Sequence, residues 1–250
     1  MFNGFYGVLY RELNVFRKKA KKQLMAASLS PLLFLIVFGL SLGRDVTVNG
    51  IPYITFLIPG LITMASLNQS YSIAQEINIS RFYFHVFDEY LIAPVSCIQI
   101  VLGEVMYGMF KGLIATVLIF VYALIFHVTL TLTPLFFVSI LIHTFLFSSL
   151  AVAIAMLIRD HGDQSTVNTF VITPMVFLCG TFFPVDKLPY FLKSIIYTLP
   201  LTYSTKVIRA SLTGSQVDNL YLLILYLIIM FMFAVCFFFL ATWAVRKVEA

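Results

Sequence analysis

The sequence predicts an all-α membrane protein with six transmembrane helices, an N-terminal interfacial helix and a short external re-entrant helix pair before the last span. Three observations predict it. First, apolar residues make up 61% of the 250-residue chain and charged residues 11%, against about 25% charged in a soluble domain. Second, six long apolar runs occupy 24–43, 51–75, 97–127, 132–158, 165–184 and 219–244. Each can cross hydrocarbon, which takes roughly 20 helical residues. Third, the runs do not alternate polar with apolar, which excludes barrel strands and leaves helices as the way to satisfy the backbone in lipid. The same composition excludes an ordinary soluble enzyme and a disordered chain.

The first element is 2–22. Phe2, Phe5, Leu9, Leu13 and Phe16 recur at steps of three and four, while Arg11, Arg17, Lys18, Lys19, Lys21 and Lys22 supply charge. This pattern predicts a helix lying in the headgroups, or a plain positive-inside anchor. The run 24–43 exceeds a typical secretory h-region of about 7–15 residues, and no A-x-A site follows, so an uncleaved first span is expected. After the second span, 76–96 is an aromatic-rich amphipathic segment ended by Pro94. It reads as a docking surface for a partner protein or as a loop on the membrane. The third and fourth spans carry Glu104, Lys111 and His143, and the fifth carries Pro174, which can bend it. In 185–218, Pro189 starts one short helix, Pro200 starts a second and Gly214 closes it. Both are too short to span, and Tyr190, Tyr197 and Tyr203 suit an aromatic belt. At 34 residues, 185–218 is the longest piece outside the spans, so the chain is expected to be one membrane domain with no soluble catalytic unit.

Charge sets the orientation. With the N-terminus inside, ten basic residues face the cytoplasm: Arg11, Arg17, Lys18, Lys19, Lys21, Lys22, Arg81, Arg159, Arg246 and Lys247. Five face outward: Arg44, Lys187, Lys193, Lys206 and Arg209. The imbalance predicts both termini in the cytoplasm. The net charge of +5 then reads as attraction to anionic lipid, and nucleic acid is not an expected partner.

No catalytic constellation is legible. Gly103-x4-Gly108 lacks the Lys-Ser/Thr of a phosphate loop, and neither H-E-x-x-H nor G-x-S-x-G occurs. The three Cys and four His are spaced for neither a disulfide framework nor a metal site. Glu104 and Lys111 lie two turns apart and cannot pair with each other. Either they face a cavity, which would suit an ion-coupled secondary transporter or channel, or Glu104 sits near the inner interface. Gly108 and Gly112 form a small-xxx-small pair that reads as helix packing. Uncharged polar residues gather in the second span (Ser66, Asn68, Gln69, Ser70, Ser72) and the fifth (Thr166, Asn168, Thr169, Thr173, Cys179, Thr181). They either bind helices together or line a path.

Three stretches carry a family resemblance. Residues 172–209 read I-T-P-M-V-F-L-C-G-T, then Leu188-Pro189, then P-L-T-Y and, five residues on, Arg209. Asp88-Glu89-Tyr90-Leu91-Ile92-Ala93-Pro94-Val95 is an acidic pair before a Leu-x-Ala-Pro run, and Phe56 to Leu61 contains P-G-L. Together they resemble the type-2 membrane subunits of ATP-binding-cassette exporters, with Thr181 standing where that family tends to have a small or aliphatic residue. The resemblance implies a permease, not an enzyme, in the inner (cytoplasmic) membrane. Two copies would form the core, each docked on a nucleotide-binding ATPase subunit that carries ATP and Mg, with no cofactor on this chain. It implies ATPase coupling at Arg81, Phe84, Phe87, Asp88, Glu89, Leu91 and Pro94. It also implies a translocation path past Asn68, Gln69, Ser72, Asn168, Thr169 and Thr173, and an external gate at Pro184, Pro189, Tyr197, Pro200, Tyr203 and Arg209. Glycans, lipid-linked polymers, drugs or peptides would be the cargo.

Overall fold

The computed structural model describes residues 3–40, 46–48, 50–158, 160–185, 188–214 and 220–249. Phe2, Arg44, Arg159 and Lys187, and the side chains of Asp88, Leu91 and His161, lie outside the described residues.

The first helix, α1 (Asn3–Phe34), continues into a π-helical turn at Leu35–Leu40. The break expected near residue 23 is absent, because Gln23, Leu24, Met25 and Ala26 are all good helix formers and nothing between the basic and apolar halves stops propagation. A two-residue hairpin, β1 (Thr47–Val48) with β2 (Ile51–Pro52), turns through Gly50 at φ +80°. Then α2 (Tyr53–Tyr71) runs almost unbroken through Ser72 into α3 (Ile73–Phe82). His85, left-handed at φ 51°, turns the chain into the short helix α4 (Val86–Ile92).

Helix α5 (Cys97–Ile125) opens on the S-x-x-Q capping pattern, with the Ser96 amide donating to Gln99 Oε1 at 3.1 Å. Helix α6 (Pro134–Leu157) opens on Thr133 and Pro134, with the Phe136 amide donating to Thr133 Oγ1 at 3.4 Å. The expected fifth span is a composite of α7 (His161–Val167), a π-turn at Asn168–Ile172 and α8 (Thr173–Leu178). Pro174 offers no amide and its ring crowds the preceding turn, which widens there. Helices α9 (Tyr190–Ile196) and α10 (Pro200–Thr213) follow Pro189 and begin at Pro200, and Gly214 closes α10 at φ 61°. The proline and glycine punctuation thus falls where the sequence puts it. The chain ends in α11 (Leu220–Glu249).

Among the described residues four helical stretches are long and apolar enough to cross a membrane: Gly4–Gly39, Cys97–Ile125, Pro134–Leu157 and Leu220–Lys247. The core is built from α2, α5 and α6, with α1 against α5, α11 against α6, and α10 against α2, α6 and α11. Close approach needs small residues. A Cβ on Gly112 would press into Ser70 Oγ, and one on Gly108 would lie 2.8 Å from Ile73 Cδ1, so this pair packs α5 onto α2, α3 and α6. His143 is fully buried in α6, edge-on to Phe147 at 4.9 Å between centroids, in a packing position.

Candidate translocation cleft and its flanking polar latches

The polar residues of α2 and the α7–α8 composite meet across a cleft of about 240 Å³ lined by Asn68, Tyr71, Ser72, Gln75, Gln164, Asn168, Ile172 and Thr173. Four of the six residues named for a path, Asn68, Ser72, Asn168 and Thr173, stand in that wall. Gln69 and Thr169 do not; Gln69 instead lends its carbonyl to Ser72 Oγ at 2.7 Å. Asn68 and Thr173 are exposed on the single chain although their helices are otherwise apolar. Thr173 Oγ1 donates to the Asn168 carbonyl at 2.9 Å, which closes the π-turn.

The hub that sequence reasoning missed is Gln164. It is 3% exposed, accepts from Asn78 Nδ2 at 2.8 Å, and donates to the Tyr71 hydroxyl at 2.9 Å and Asn168 Oδ1 at 3.0 Å. Its signal was available: it lies four residues before Asn168, on the same helical face. It stands one residue before the apolar run 165–184.

Beyond Gln75 a second polar cluster joins α1, α3 and α5 through Glu76. Lys111 Nζ donates to Glu76 Oε1 at 2.8 Å and to Ser72 Oγ at 2.6 Å. The Tyr107 hydroxyl donates to Glu76 Oε2 at 2.9 Å and Gln23 Nε2 to Glu76 Oε1 at 3.0 Å. Lys111, 3% exposed, is therefore held by Glu76 of α3 and by Ser72 just before it rather than by Glu104. Arg11 pairs with Glu12 and donates to the Tyr90 hydroxyl at 3.3 Å, tying α1 to α4. Burial pushes the Tyr90 phenol well above its ordinary pKa, so it stays neutral. The apolar face of α1 goes to protein rather than only to lipid. Val8 is buried, and Phe16 meets Phe110 at 5.6 Å; a Cβ on Gly103 would lie 2.7 Å from Val8.

The residues named for ATPase coupling divide. Phe84, Glu89 and Pro94 are exposed, with Tyr83 and Ile92 beside them, whereas Phe87 is buried and meets Tyr90 at 5.4 Å. Arg81 is engaged within the chain: its guanidinium caps α6, donating to the carbonyls of Met156 at 3.2 Å and Ala155 at 3.3 Å.

At the opposite end, two of the residues named for a gate, Arg209 and Tyr203, each anchor a set of contacts. Arg209 donates from Nη2 to the Gly180 carbonyl at 2.7 Å and from Nε to the Phe56 carbonyl at 3.3 Å, with its guanidinium carbon 3.8 Å from the Phe56 ring centroid. Gly180 adopts φ +84°, which favours glycine, and a Cβ on Gly60 would press into the Thr181 carbonyl. The Tyr203 hydroxyl donates to the Tyr197 carbonyl at 2.6 Å and Lys206 Nζ to the Tyr197 hydroxyl at 2.8 Å, holding α10 on α9. Pro184 is half-buried, Pro189 is exposed before α9, and Pro200 is buried at the start of α10. The P-G-L, C-G-T and terminal Arg stretches are thus neighbours in space.

A family model described as "ABC-2 type transporter" matches residues 4–213. The chain belongs to the ABC-2 type transporter family. As a member it is a multi-pass membrane transport subunit. Similar ABC-2 relatives include "Nodulation protein J" of Rhizobium meliloti (strain 1021), 30% identical over 244 residues, 95% of this chain and 90% of the relative. "Inner membrane transport permease YadH" of Escherichia coli (strain K12) is 26% identical over 218 residues, 82% of this chain and 80% of the relative. The matched region takes in the cleft and both latches.

Proposed function

We propose that this chain is the membrane-spanning subunit of an ATP-driven exporter, working as two copies with a separate ATPase. The observation that carries the reading is the cleft itself. Asn68, Ser72, Asn168 and Thr173 line a cleft open to the outside of a single copy, where hydrocarbon would leave the exposed amide of Asn68 unsatisfied and put a polar wall against lipid. A second copy facing the first across this cleft would enclose a polar route, and a two-fold pair is the commonest assembly. Six crossings follow, from α1, α2 with α3, α5, α6, the α7–α8 composite and α11, with both termini cytoplasmic. The relatives named as inner membrane permeases support placement in that membrane.

The exposed Glu89 of α4 and Pro94 just after it supply the docking surface for the nucleotide-binding subunit, which holds ATP and Mg. The Arg11–Tyr90 and Gln23–Glu76–Lys111–Ser72 contacts carry its movement from α4 and α1 to the cleft. The cargo is an amphipathic molecule, a glycan- or lipid-linked substrate, or a drug. A stand-alone secondary transporter or channel is less well supported, because Lys111 is committed to Glu76 and Ser72.

Co-reconstitution with the ATPase subunit tests the reading. Replacing Asp88 and Glu89 together with Lys should leave the protein folded and the ATPase active while abolishing ATP-driven efflux. Efflux that persists without ATP hydrolysis sinks the proposal.

A further inference from the structure

A second cleft, of about 290 Å³, lies between α1 and α3 and shares no lining residue with the proposed path. Lys18 and Lys19 stand on its rim and Val15, Ile79 and Phe84 in its wall. Phe84 is 68% exposed. Among the described residues neither lysine is ion-paired, whereas the carboxylates at the floor, Glu12 and Glu76, are already bound to Arg11 and Lys111. Arg17, Lys21 and Lys22 extend the positive charge, and the apolar half of α1 begins at Leu24. The cleft therefore joins unpaired cations to apolar walls at the level where a helix enters the bilayer, the setting in which basic clusters attract anionic headgroups.

We propose that this cleft binds an anionic phospholipid, its phosphate on Lys18 and Lys19 and its glycerol and upper chain against Val15, Ile79 and Phe84. The site also reaches the path. Glu76 forms part of its wall and holds Lys111, and Lys111 bonds Ser72, which lines the translocation cleft. A lipid seated here would steady the segment of α1 that donates to Glu76 through Gln23. The site stands on this chain alone, so its test needs no ATPase and is independent of the export reading.

The probe is tryptophan at the cleft. Phe84→Trp is placed in a Trp243→Phe background, which removes the sole native tryptophan. The protein is reconstituted with brominated phosphatidylglycerol or brominated phosphatidylcholine. The proposal predicts preferential quenching by the anionic lipid, lost in high salt. Lys18→Gln and Lys19→Gln should each lower the preference about fivefold. The salt titration carries the test if the lysine variants fold poorly. Displacement of the lipid by inorganic phosphate in detergent would assign recognition to the phosphate group, and resistance would assign it to the whole lipid; either result keeps the site. Equal quenching by both lipids, or a preference that survives both lysine substitutions, overturns the proposal, and equal quenching would leave the cleft to a protein partner.

Discussion

The two ends of this bundle solve one problem in opposite ways. At the end where α1, α3 and α5 meet, the buried cation, Lys111, is met by a side-chain carboxylate, Glu76, that also serves Tyr107 and Gln23. At the other end the cation, Arg209, is met by backbone carbonyls of Phe56 and Gly180 and by an aromatic face. Side-chain partners can move with their own helices and exchange. Carbonyl partners are fixed by the chain's path, so the Arg209 geometry sets the position of α10 against the ends of two other segments. A cluster of side-chain partners at one end of α2 and α3 and a latch of backbone carbonyls at the other thus bracket the same cleft.

The contrast can be broken. The largest effect is expected from Arg209→Met, which leaves partly buried carbonyls without their donor and should destabilise the protein by about 3 kcal/mol. Thermal unfolding in detergent measures it, and no second substitution should rescue it, because the partners are backbone. Lys111→Met should lower stability by about 2 kcal/mol by stranding Glu76, which is still 30% exposed and can draw on water. Adding Glu76→Gln should restore most of that loss, since both ends of the pair are then neutral. A rescue at Arg209, or none at Lys111, would erase the distinction. Gly60→Ala should cost about 2 kcal/mol because a backbone carbonyl must give way. The smallest effect, about 1 kcal/mol, is expected from Arg81→Gln, which loses a cap on the last carbonyls of α6.

Much of this was readable in the residues. Apolar runs gave the long helices because hydrocarbon thickness dictates their length. Pro189, Pro200 and Gly214 gave the edges of α9 and α10 because proline and glycine act on the local backbone alone. Polar residues in charge-free helices gave four members of the cleft wall. The rest was not local. Nothing in α5 alone says that Lys111 finds Glu76, and nothing in 76–96 says that Arg81 reaches back to α6 while Phe87 turns inward. The continuous α1 was missed for another reason. A change of composition at residue 23 looks like a boundary, yet a helix stops only where capping or propensity stops it. The hairpin at Gly50 had a legible Asn-Gly signal that apolar runs overshadow.

The central claim, a polar route between two copies worked by ATP, meets its most direct test in thiol labelling at the cleft. Asn68→Cys and Asn168→Cys, in a background with Cys97, Cys179 and Cys236 replaced, are exposed to a membrane-impermeant reagent while the ATPase partner cycles. Labelling that appears in one nucleotide state and is blocked in the other is the predicted result. Thiols that react only with a lipid-soluble reagent, unchanged by ATP, would show these positions facing the bilayer and would contradict the account.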